Sequence, residues 1–311
     1  MDTRHFLPVP AMALLIMPLA LGAQAHDASV ANHEPHLFAA TDFGIDPGEI
    51  TFTKDIAPIL QRSCENCHRV GGGAPMALTT YREVRRYATR IKDRTAIRDR
   101  MGAMPPFFVE KEIGIHHFKD DQSLSDLELA QIQAWVDNGA SEGDPADMPP
   151  PMDFGEDGAW TIGEPDLVLR SIDMTVPAVG PDRWGDIGLV PTGLTVDRYV
   201  EAIEVREVND IPADVESSTV GGRYIFHHMT FSSGALSEDG TEIEGPSTRW
   251  PIHEVGRNAD LFPEKAGRLL RANSALHLRA SHVHSNGRET TGHLEFGFKF
   301  FPLGYEPEYQ R

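Results

Sequence analysis

Ser141-Glu-Gly-Asp-Pro-Ala-Asp-Met-Pro-Pro-Pro151 is the stretch on which the organisation of the chain turns. Its four prolines and three acidic residues oppose both a helix interior and a central strand, so it reads as the start of a linker whose Pro-rich part spans 148–162. Working back from it, Ser125 and Glu128 have capping-box spacing and Leu124 and Leu129 form a hydrophobic staple. Leu129, Ile132, Trp135 and Val136 then share one helical face that stops before Gly139. Helical spacing also runs from about Thr80 through Val84, Tyr87 and Ile91, and from Asp55, a capping residue that leaves Pro58 in the first turn. Working forward, the apolar pattern becomes alternating in Leu167–Met174, Tyr199–Val208, Arg223–Phe231, Ser274–His284 and Gly292–Phe301, with Gly, Pro, Asn and Asp clusters between. The expectation is a multidomain α and β chain, with an all-α domain at 50–147 followed by an all-β, jelly-roll-like sandwich at 163–311.

The length of 311 residues suits about two domains at roughly 150 residues each. A net charge of −19 repels nucleic acid and anionic bilayers, which removes nucleic-acid binding as a function class. Arg4, the apolar run Phe6–Leu21 and the small-x-small pattern Ala23-Gln24-Ala25 read as a signal peptide over 1–25. Pro8, Pro10 and Pro18 interrupt the run, and no other stretch approaches membrane-spanning length, so no membrane span is expected after cleavage. The expected location is the periplasm or the medium. Residues 26–49, polar and acidic, read as an N-terminal arm.

With only two cysteines there is no disulfide framework, and the pair must be explained by chemistry. Cys64-Glu65-Asn66-Cys67-His68 reads as an attachment site for haem c: two thiols add to the vinyl groups and His68 reaches the iron. A zinc site would need a second Cys pair, which the chain lacks. Met104, in Gly102-Ala103-Met104-Pro105-Pro106, is the leading sixth ligand, with Met101 and Met76 as alternatives and an ordinary core methionine as the plain reading. Taken together, the Cys pair, the Met-Pro-Pro segment and the helix after Ser125 resemble the small single-haem c-type cytochrome domains of exported bacterial proteins, over about residues 50 to 147. That resemblance implies electron transfer, and His/Met ligation implies a comparatively high potential.

His227, His228, His277, His282 and His284 fall on expected strands, with His253 and His293 close by. Regular alternation puts Leu276, Leu278, Ala280, His282 and His284 on one face, where two imidazoles can approach one ion; imidazole suits Cu, Zn, Fe or Ni. His227 and His228 are neighbours and point to opposite faces of a regular strand, so joint ligation needs a bulge or a twist. Singly, each reads as a hydrogen-bonded core or surface histidine. His227-His228-Met229 together with His282-Val283-His284 resembles the copper type II ascorbate-dependent monooxygenases, over roughly residues 163 to 302. The resemblance implies His227, His228 and His282 as copper ligands, with His284 and Met229 as substitutes or additions. Enzymes of that family join two sandwiches with two coppers and several disulfides, so this chain matches one half of them.

The expected function is an exported c-type cytochrome that passes electrons between its haem and a His-ligated copper site, exchanging them with a periplasmic donor or acceptor. If the copper is catalytic, O2 and a small-molecule substrate join the partners. The alternative is a non-catalytic electron-transfer cytochrome whose sandwich is a copper-binding or docking module. Two weaker signals accompany this. Cleavage after Ala25 would leave His26 as a terminal amine-imidazole chelating pair, with His33 and His36 following. Residues 82–100 carry eight basic and three acidic side chains, which suits either docking on an acidic surface or a solvated helix face.

Overall fold

The computed structural model describes residues 34–106, 109, 113, 114, 118, 121–154, 159–212, 222–237, 239–256 and 258–309. Pro35–Arg311 forms one compact unit; of the preceding unit, Met1–Glu34, only Glu34 is described. The expected signal peptide, His26 and His33 lie outside the described residues.

Three α-helices occur among the described residues: α1 (Ala57–Ser63), α2 (Tyr81–Ile97) and α3 (Asp126–Asp137). Both longer helices begin with reciprocal capping boxes, Thr80 with Glu83 and Ser125 with Glu128. Each satisfies two of the backbone N–H groups that a helix start leaves unpaired. α1 follows a π-helical turn at Phe52–Ile56; Asp55 sits inside that turn and accepts from Thr51 N–H at 2.9 Å, so its cap acts a turn earlier than the sequence suggests. Phe52, Leu60, Val84, Leu129, Ile132 and Trp135 fill the core between these helices. The arm wraps them, with Phe38 N–H donating to Gln133, whose amide donates in turn to His36 O. The stretch from Ser141 is held as well, since its carbonyls accept from the N–H groups of Phe52 and Thr53 and from the Trp135 indole.

The remaining chain forms two curled antiparallel sheets. The first has the order β1 (Leu167–Arg170), β12 (Thr290–Phe300), β5 (Arg198–Asn209), β10 (Arg268–Leu270), with β2 (Met174–Val176) on β12 and β9 (Ala259–Leu261) on β5. The second has the order β3 (Arg183–Gly185), β11 (Ser274–Val283), β6 (Phe226–Ala235), β7 (Thr248–Arg249), with β4 (Leu189–Pro191) on β11 and β8 (His253–Glu254) on β6. Inward residues of both sheets share one apolar core, in which Phe231 of β6 meets Phe296 of β12 at a ring separation of 5.2 Å.

This corrects the expected fold class. The described residues are mostly β, with three short α-helices and two curled antiparallel sheets, not an all-α domain followed by a jelly-roll-like sandwich. Helical spacing in the first half extends over short runs only. Between α1 and α2 the chain is loop, held against the residues that flank β6 and β8: Tyr224 OH donates to Gly71 O at 3.0 Å, and the Asn66 side-chain amide donates to Gly256 O.

Candidate metal centre

Two compensating irregularities bring the histidines together. Along β11 and β6, Arg279 pairs with Thr230, His282 with His228, and Val283 with Phe226. The first step uses three residues of β11 against two of β6, so Ala280 and Ser281 together oppose Met229. The second uses one residue of β11 against two of β6, which makes His227 the extra residue. Each is a β-bulge, and a bulge turns consecutive side chains toward one side. His227 and His228 therefore share a face, as joint ligation requires.

The bulge on β11 also overturns an expectation. Leu276 and Leu278 point into the shared core, but after the extra residue it is Val283 that continues that face, and His282 lies on the other. Ala280 takes φ +45° to make the bulge, a left-handed conformation that costs a non-glycine residue about 1–2 kcal/mol. Met229 is buried in the shared core, on the side opposite His228, so it is not placed as a substitute ligand.

His227 Nδ1 lies 3.1 Å from His228 Nδ1 and 3.2 Å from His282 Nδ1. The three ligand atoms fall within 4.8 Å of one another, the single such group of three or more among the described residues. Two nitrogens bound tetrahedrally at about 2.0–2.1 Å from one ion would be roughly 3.3 Å apart, so the spacing fits a common ion. Asp182 fixes one tautomer. Its carboxylate lies 2.8 Å from His282 Nε2 and can only accept, so Nε2 carries the proton and Nδ1 of the neutral ring presents a lone pair. That hydrogen bond holds the Asp182 carboxyl below its usual range. Trp184 of β3 stacks on the His282 ring at 4.0 Å and 6° while remaining 62% exposed.

Electrostatics favour the neutral form at His227 and His228. Burial, then the neighbouring His284, His228 and His282, push His227 down to about 4, against a smaller opposing pull from Asp182. His228 is lowered by burial and by His282. Neutral imidazoles are the form a metal binds. His284 flanks the group, its ring 5.4 Å from His227 and 6.0 Å from His282, with a buried Nε2 that has no hydrogen-bond partner. His277 is elsewhere, between Glu242 and Asp186, and His293 lies beside Asp173 and Glu295.

Cys64 and Cys67 are free thiols just after α1. Burial, then the neighbouring Cys67 and Glu65, push Cys64 up to about 12. His68 Nδ1 lies 3.1 Å from Met76 O, a bond that fixes the proton on Nδ1 and leaves the lone pair on Nε2. Met76 meets the His68 ring through its backbone carbonyl. The Met104 side chain is half exposed and Met101 fully so; Met104 N–H donates to Arg94 O at 3.0 Å.

Three contributors had no sequence signal pointing to a site. Asp182 and Trp184 belong to a stretch with no alternation. Glu207 of β5 is buried and accepts from the N–H groups of Ile225 and Phe226, fixing the start of β6 immediately before His227. No protein-family model matches this chain, and no curated protein matches it significantly.

Proposed function

We propose that the chain is an exported c-type cytochrome that transfers electrons between a covalently attached haem and a copper ion held by His227, His228 and His282. The observation that carries this reading is the convergence of three imidazoles next to a backbone segment that the Cys64-to-His68 stretch also contacts. Val255, one residue beyond β8, makes backbone contact with both: its N–H donates to His227 O at 2.9 Å and its carbonyl lies 4.0 Å from Cys67 Sγ.

The residues fit both groups. Two free thiols three residues apart and a histidine whose Nδ1 is already hydrogen-bonded are what haem attachment and proximal ligation need. The haem would supply a one-electron couple. Among the metals imidazole favours, zinc has no redox chemistry, and the resemblance of the His227-His228-Met229 and His282-Val283-His284 segments to copper monooxygenases favours copper among the rest. This is the only group of three or more metal-ligand side chains among the described residues, so the reading stops at electron transfer and does not extend to substrate oxidation. Exchange with the outside would use a periplasmic donor or acceptor.

The test is haem and copper content of the full-length protein matured in a periplasm and loaded with copper. About one haem and one copper per chain are expected, and His227→Ala, His228→Ala and His282→Ala should each lose copper while keeping haem. Wild-type protein that takes up no copper, or variants that retain it, would refute the copper assignment. Absence of covalent haem would refute the cytochrome assignment.

A further inference from the structure

Resting on that reading, we infer that the Val255 backbone, from its carbonyl through Cα to its N–H, is the bridge by which an electron passes between the Cys67 side of the haem-binding segment and His227. Its carbonyl oxygen lies 4.0 Å from the Cys67 sulfur, and its N–H donates to the His227 carbonyl at 2.9 Å. From there the covalent path runs through Cα and Cβ of His227 to the imidazole.

The surroundings are built for close approach. Gly256 has φ +90°, and a Cβ there would overlap the Cys67 sulfur. A Cβ on Gly73 would overlap the Val255 side chain, and one on Gly222, at φ +61°, would come within 2.9 Å of Gly72 O. Glycine on both sides of a contact is what two backbones need to meet without side chains between them. Hydrogen bonds from Tyr224 OH to Gly71 O and from the Asn66 side-chain amide to Gly256 O tie the same two segments together. Residues 66–73 are thus drawn onto Gly222, Tyr224, Val255 and Gly256, the last two directly after β8, which pairs with β6 at His228.

The step is a single-electron transfer. The donor centre is oxidised by one unit and the acceptor reduced by one, with no bond to the protein formed or broken. The external periplasmic partner supplies or removes the electron.

The test uses full-length protein carrying haem and copper. The haem is reduced by a flash-excited flavin, and its reoxidation is followed by absorbance while loss of the Cu(II) signal is followed by electron paramagnetic resonance. Gly73→Ala pushes against the Val255 side chain and moves the peptide away from its contacts. The expected slowing is about tenfold, equivalent to ~1.4 kcal/mol of activation free energy. Val255→Ala alone keeps the backbone contacts and serves as the reference rate for the double variant. The double variant Gly73→Ala/Val255→Ala makes room for the new methyl and should recover the rate, which a merely damaged fold would not. Tyr224→Phe, which removes the bond to Gly71 O, serves if Gly73→Ala does not accumulate; it should slow transfer by a smaller factor. Haem and copper contents are measured first. Loss of either from wild type strikes at the two-centre reading itself, whereas both present with an unchanged rate in Gly73→Ala or Tyr224→Phe overturns the bridge alone.

Discussion

Acidifying the metal-free protein should unfold it partly through His253. This residue pairs with Met229 at the edge of the shared core, is only 4% exposed, and has no hydrogen-bond partner on either ring nitrogen. Burial, reinforced by the nearby His228 and His227, pushes its pKa from 6.5 down to about 4. A histidine whose folded pKa is depressed binds its proton more readily unfolded. Its stabilising contribution is therefore complete above about pH 6.5 and is lost as pH falls from there toward 4. The span from 6.5 to about 4, at about 1.36 kcal/mol per pH unit, sets a ceiling of ~3 kcal/mol, most of it lost by pH 4.5. Glu207, pushed up to about 7 chiefly by burial, has the opposite sign: it favours the folded state at low pH and opposes it above about pH 4.5. The raw pH profile thus mixes both groups, and a difference between variants separates them. Urea denaturation of wild type and His253→Phe at steps from pH 7 to pH 4.5 should show the wild type losing ~2–3 kcal/mol more than the variant over that range. Parallel profiles for the two proteins would refute the reasoning.

Two further outcomes follow from the geometry. Asp182→Ala removes the acceptor that orients His282 Nε2, and copper affinity, measured by competition with a chromophoric chelator, should fall about 10- to 100-fold while haem attachment is untouched. Phe296→Ala empties the contact between the two sheets at a fully buried ring, and denaturant unfolding should report a loss of ~3–5 kcal/mol.

Alternation located the four long strands, β5, β6, β11 and β12, and the short β1, because their apolar positions are set by one buried face, and the capping boxes at Thr80 and Ser125 were legible because they are local chemistry. The same logic misjudged the first half of the chain. Periodicity marks where a helix can form but does not say how much loop lies between helices, nor that the loop carrying Cys67 packs on a sheet. The metal cluster illustrates where such reading ends. Its three histidines were named from the sequence, yet regular alternation would have put His282 on the core face and split His227 from His228. What unites them is a pair of one-residue slips, at Ala280–Ser281 and at His227, that cancel and leave His282 opposite His228. A slip of that kind is decided by pairing between strands 50 residues apart in the chain and by core residues such as Met229, Val283 and Phe226, each of which must stay buried on either side of it. The register that serves those apolar residues is the one that puts three imidazoles on the opposite face, so the site is a consequence of core packing as much as of its own residues. It follows that substitutions at Val283 or Phe226, neither of which can touch a metal there, should perturb the cluster through the register.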